Sequence, residues 1–90
     1  MYYTYVLKSI KDHKLYIGYT EDLKRRYLSH QQGDVHATKY RLPVALIFYE
    51  AYLNKYDALR RERYLKTDKG KKTLHVMLTE YFNKESKHEV

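Results

Sequence analysis

Tyr5, Tyr16, Arg26, His30 and Glu62 are the residues of this 90-residue chain whose types and order could do chemistry. Phenols and an imidazole take or orient a proton, a guanidinium holds an anion in a fork, and a carboxylate holds a cation. Together they suit a reaction at an anionic centre where negative charge grows. Tyrosine supplies 12 of the 90 residues, so a single phenol says little and the ordered set says more.

Residues 2–10 (YYTYVLKSI) are aromatic and β-branched and predict a strand; residues 11–14 are a polar turn, and Leu15–Tyr19 reads as the return strand. With Ile10 opposite Leu15, paired residue numbers sum to an odd value. Tyr3 and Tyr5 then share a face with Tyr16 and Gly18. Thr20 reads as the N-cap of a helix running to about His30, with Glu21 and Asp22 in its first turn. Gln31–Pro43 is a loop punctuated by Gly33. The apolar run Val44–Glu50 predicts a third strand that is central or well covered. Asn54 and Asp57 resemble a capping box opening a helix to about Lys66. Thr67–Gly70 interrupts it. A further helix, about Lys71 to Phe82, carries Leu74, Met77, Leu78 and Tyr81 on one stripe. The polar tail Asn83–Val90 is expected to fray.

Several polar groups fall on faces that should turn inward. Leu23, Arg26, Tyr27 and His30 form one stripe of the first helix, so Arg26 and His30 project towards the sheet. An arginine held against the body of a domain needs an anion, either an internal carboxylate or a ligand. His30 also suits a charged C-terminal cap. Ala58, Leu59, Glu62 and Leu65 form the inward stripe of the second helix. Glu62 reads equally as the partner of Arg26 or as a lone metal ligand completed by water and phosphate oxygens. Gly18 permits either a tight strand-to-helix turn or close approach of a phosphate.

Length and composition bound the reading. Ninety residues make one small domain (1–82, followed by the tail 83–90), which buries only ~60–65% of its unfolded surface. Absence of cysteine excludes a disulfide framework and thiolate metal sites. With no apolar run near the ~18–20 residues needed to span a bilayer, and no leader-like start, a soluble cytoplasmic protein is expected. The 18 basic against 11 acidic residues give a net charge of +7, favouring a polyanionic partner: nucleic acid or an anionic membrane surface. Interleaved tyrosines favour nucleic acid, since rings stack on bases while Lys and Arg neutralise phosphates. Lys39, Arg41, Lys55, Lys69, Lys71 and Lys72 are the candidate phosphate contacts.

With Tyr3-Thr4-Tyr5 and Tyr16-Ile17-Gly18 in place, the chain resembles the GIY-YIG nuclease family. It is most similar to the small stand-alone members related to the N-terminal nuclease domain of the UvrC excision-repair protein. The resemblance continues through Thr20–Arg26, His30–Gly33 and Ala58–Lys66. It implies an α+β fold, a three-stranded antiparallel sheet flanked by about three helices. It also implies Mg2+- or Mn2+-dependent hydrolysis of DNA phosphodiester bonds. Tyr16 then matches a general base, Tyr5 the tyrosine that orients water or phosphate or itself acts as base, and Arg26 the arginine that stabilises phosphate charge. His30 matches a histidine of several branches, and Glu62 matches the metal-anchoring carboxylate. Tyr3 stands where the family usually has glycine, Tyr19 where some members have lysine, and a counterpart of the late asparagine is missing. The expected protein is an endonuclease of structured, damaged or single-stranded DNA, DNA rather than RNA, monomeric or weakly dimeric. The alternative is a non-catalytic nucleic-acid-binding module on the same fold.

Overall fold

A computed structural model describes residues 1–88, with side chains through residue 84. Strands β1 (Tyr2–Ser9), β2 (Leu15–Thr20) and β3 (Val44–Tyr52) form one antiparallel sheet in the order β2-β1-β3. Helix α1 (Leu23–Gln31) follows β2; α2 (Lys55–Leu65), α3 (Asp68–Met77) and α4 (Thr79–His88) follow β3. A 3₁₀ turn, Lys39–Arg41, lies in the connection before β3. The fold is thus α+β, with four α-helices among the described residues where about three were expected.

The central strand is β1, not the more apolar third strand. Both faces of β1 are covered, so Thr4 through Ser9 are all buried. Its polar members are tolerated there because they have partners. Thr4 Oγ1 donates to the Ala58 carbonyl at 2.7 Å, and Ser9 Oγ donates to the Arg41 carbonyl at 2.6 Å. Lys8 Nζ lies 5.7 Å from the ring centroids of both Tyr81 and Phe82. β3 is an edge strand whose residues are mostly half-buried; Arg61 anchors it to α2 by pairing with Glu50 at 2.9 Å.

The hairpin register keeps the expected parity but slides by two residues, since Lys8 rather than Ile10 faces Leu15. Two faces result. Tyr5, Leu7 and Val44 form one core with Tyr16, Leu23 and Tyr27; Val6, Ile17, Leu65 and Leu74 form the other, under α2 and α3.

Helix ends also differ from expectation. Asp22, not Thr20, caps α1 by accepting from Arg25 N at 3.1 Å, while Thr20 Oγ1 accepts from Asp22 N. Asn54 caps α2, but Asp57 pairs with Arg60 instead of closing a box. Thr67 caps α3, which starts at Asp68 and includes Gly70; a side chain at Gly70 would run into the Tyr64 carbonyl of α2. The expected helix over 71–82 breaks at Leu78. The tail is helical to His88, and its last two residues lie outside the described residues.

Candidate active site

The inward stripe of α1 delivers Arg26 and His30 to the sheet face that carries Tyr5 and Tyr16. Arg26 Nε lies 3.3 Å from the Tyr5 hydroxyl, which lies 2.8 Å from His30 Nε2; His30 Nδ1 lies 2.7 Å from Thr38 Oγ1. Arginine nitrogen only donates, so the Tyr5 oxygen accepts from Arg26; with the His30 hydrogen assigned to Nδ1, the Tyr5 hydroxyl donates to Nε2. A neutral imidazole accepting at Nε2 carries its hydrogen on Nδ1 and donates to Thr38.

Burial dominates the electrostatics of this chain of bonds. Tyr5 is 1% exposed, and desolvation pushes its pKa up to about 12 against the lowering effect of Arg26. His30 is fully buried; desolvation, and then the Arg26 charge, push it down to about 4. The hydrogen bond that Arg26 itself donates to Tyr5 raises the pKa of Arg26. His30 is therefore a neutral link rather than a charged helix cap. Tyr16 is half-buried, its ring centroid 5.0 Å from that of His30 and 6.2 Å from that of Tyr5. Its hydroxyl stands close enough to Arg26 and Tyr5 to help raise the pKa of both.

A pH dependence of stability follows. The folded-state pKa of His30 lies below its unfolded value, so its contribution is complete above pH ~6.5 and is lost as pH falls towards about 4. Thermal midpoints measured across pH 4 to 8 should hold steady at the top and fall through that window. The expected loss is on the order of 2–3 kcal/mol. A flat profile down to pH 4 would contradict the neutral buried histidine.

Gly18 faces Tyr5 across the hairpin. A Cβ there would sit 2.5 Å from the Tyr5 Cζ and hydroxyl, so glycine vacates the slot the phenol occupies. A tight strand-to-helix turn is not its role, since Gly18 lies within β2.

Glu62 lies on α2, which packs on the face of the sheet opposite Tyr5 and Tyr16. Successive helical residues are offset by about 100°, and Ala58 and Leu65, both fully buried, mark the inward line of α2. Arg61 and Glu62 fall on opposite sides of that line. Arg61 pairs with Glu50 on β3, so Glu62 leans towards β2, the opposite edge. Its partner is Lys66 at 3.1 Å. No ion pair joins it to Arg26, nor does any carboxylate pair with Arg26 among the described residues. Four candidates, Tyr5, Tyr16, Arg26 and His30, thus gather under α1, while Glu62 stands apart from them on the α2 side of the sheet.

The basic candidates are dispersed. Arg41 and Lys71 line one groove, whereas Lys39 stacks near Tyr40 with Nζ 5.5 Å from its ring. Lys55 opens α2, beside the Tyr52 end of β3, and Lys69 and Lys72 are exposed on α3. Thr38, fully buried, completes the hydrogen-bonded chain and was invisible in sequence, since only the folded loop brings it to His30.

Residues 1–75 match the family of the GIY-YIG catalytic domain. The chain belongs to the GIY-YIG family. A UPF0213 protein of Streptococcus pyogenes serotype M3 is 44% identical over 68 residues, covering 74% of this chain and 73% of the relative. One from Staphylococcus saprophyticus is 38% identical over 77 residues, covering 84% and 93%. No solved structure matches the chain. GIY-YIG membership places the protein in a nuclease superfamily, whose members are generally dependent on a divalent metal.

The donor set bears on what ion this GIY-YIG site would accept. Among the described residues no three His, Cys, Asp or Glu side chains converge. Glu62 alone, 17% exposed, suits an ion that keeps most of its water and takes phosphate oxygens as ligands. The Lys66 side chain is 54% exposed, and an i,i+4 pair of this kind is worth only about 0.3–0.5 kcal/mol, so it yields readily to a cation.

Proposed function

We propose that this protein is a divalent-metal-dependent endonuclease that hydrolyses DNA phosphodiester bonds at the open edge of β2. The observation that carries the reading is Arg26. It is held by a neutral, buried hydrogen-bonded chain and has no carboxylate to balance it among the described residues, so its counter-ion is the substrate phosphate.

Tyr16 accepts a proton from the attacking water as that oxygen bonds to phosphorus and the bond to the leaving oxygen breaks. Arg26 stabilises the charge that grows on the non-bridging oxygens. The step uses Tyr16 as its phenolate, with the Arg26 guanidinium beside it on this face. Tyr5 is unsuited to that part, because its hydroxyl is held between Arg26 and His30 and burial opposes its ionisation. Tyr5 and His30 position Arg26. Glu62 would hold Mg2+ or Mn2+, whose charge polarises the phosphoryl oxygen and eases departure of the leaving oxygen.

The test is a cleavage assay on duplex, flap, junction and single-stranded DNA with Mg2+ or Mn2+ and with chelator. Cleavage that requires the metal is expected, and Glu62→Gln should raise the Mg2+ concentration needed for half-maximal rate at least tenfold, since a water-rich site loses a protein carboxylate. Metal-independent cleavage, or an unchanged metal response in Glu62→Gln, contradicts the assignment. Absence of cleavage on every substrate, with salt-sensitive binding retained, identifies a binding module instead.

A further inference from the structure

Three separate segments bring basic side chains to one groove at the Leu15 end of β2. The hairpin turn contributes His13 and Lys14, the 3₁₀ turn Arg41, and α3 Lys71 and His75. The groove encloses about 320 Å³, and no carboxylate lines it. Arg41 is fixed there from two sides: its carbonyl accepts from Ser9, and its Nε donates to Asp12 at 3.3 Å. One carboxylate does not satisfy a guanidinium with five donors, and Arg41 Nη2 is buried without an acceptor among the described residues. The Lys14 backbone N–H, first, and then Ser9 and Arg41 hold the Asp12 pKa low, so its negative charge is already engaged. Lys14 and Lys71 are exposed and enter no ion pair among the described residues.

Place matters as much as charge. Leu15 precedes Tyr16 on the edge strand, and at the far end Arg25 and Arg26, together with the carboxylates of Glu21 and Asp22, line a second polar groove of about 480 Å³ that begins at Tyr19. Leu15 and Tyr19 are four residues apart, roughly 13 Å along a strand. That is about four steps at the 3.4 Å rise of one duplex strand. A cationic groove and the Arg26 guanidinium, which pairs with no carboxylate among the described residues, so spaced on one edge, fit successive phosphates of a polymer better than a single small anion.

We infer that the groove between Lys14, Arg41 and Lys71 is a second phosphate-backbone subsite, which lays the nucleic-acid strand along β2 and anchors it several nucleotides from the bond cut at Arg26. The inference rests on the β2-edge site proposed above and adds the path of the strand.

Fluorescence anisotropy of a labelled duplex of about 20 base pairs, without divalent metal and over about 50–200 mM KCl, tests it. Lys14→Ala/Lys71→Ala removes two exposed side chains, so folding is retained. About tenfold weaker binding is expected, with the slope of log affinity against log salt reduced by about 2, since each lost phosphate contact removes about 0.9. Lys84→Ala, an exposed lysine outside the groove, should leave the slope unchanged. A double variant whose slope matches the wild type, or a wild type that does not bind DNA, overturns the inference. So does inorganic phosphate that at low millimolar concentration abolishes the difference between wild type and variant, which would mark a free-phosphate site. The measurement involves no cleavage; if the protein cuts nothing but the slope still falls, only the catalytic reading is lost.

Discussion

Tyr16→Phe is expected to lower the rate of DNA cleavage by about 10²–10⁴-fold, the usual worth of a positioned general base. The substitution keeps the ring that packs 5.0 Å from His30 and removes only the hydroxyl, so stability and DNA affinity should stay near wild type. Single-turnover kinetics separate this from a binding defect. Tyr5→Phe provides the contrast. It strands a donor on Arg26 and an acceptor on the buried His30, at a cost of about 1–3 kcal/mol in stability. Its activity loss should come through a misplaced Arg26. If Tyr16→Phe cleaves at the wild-type rate while Tyr5→Phe remains folded and inactive, the base has been assigned to the wrong phenol.

Arg26→Ala should cost about 10²–10³ in rate at saturating DNA, as removal of a group aimed at developing charge does elsewhere. Arg26→Lys should not restore it. A single ammonium cannot both donate to Tyr5 from an Nε position and present a fork to phosphate. A readout independent of catalysis accompanies this variant. The Arg26 charge is the second cause of the low His30 pKa, after desolvation. Removing it should move that pKa upward, so the acid-side loss of stability becomes smaller and is complete at higher pH. A Lys variant with most of the wild-type rate would show that Arg26 supplies charge alone.

What could be read before folding was mostly parity and stripe. The two-residue period of a strand placed Tyr5 and Tyr16 on one face although the hairpin offset was wrong by two, because a shift of two preserves the face. The helical period likewise turned Arg26 and His30 inward. Apolarity misled at β3. VALIFYE looks central by composition, but position in a sheet depends on hydrogen-bonded neighbours, and β1 carries its Thr4, Lys8 and Ser9 inside by giving each a partner. Helix ends were the least legible, since Asp22 and Thr20 both suit an N-cap and only backbone geometry decides between them. The role of Gly18 depended on a cross-strand neighbour 13 residues away, and the link from His30 to Thr38 on the folded course of a loop.

That last link carries a consequence for how relatives could diverge. The hydrogen-bonded chain begins at a guanidinium facing solvent and ends on Thr38, in a connection whose continuation reaches Arg41 within three residues. Lengthening or shortening the segment between Gly33 and Thr38 would pull on the imidazole, hence on the phenol, hence on the fork. Reaction rate and the grip on a distant stretch of the polymer would then change together, through a stretch of chain that contributes no reacting atom.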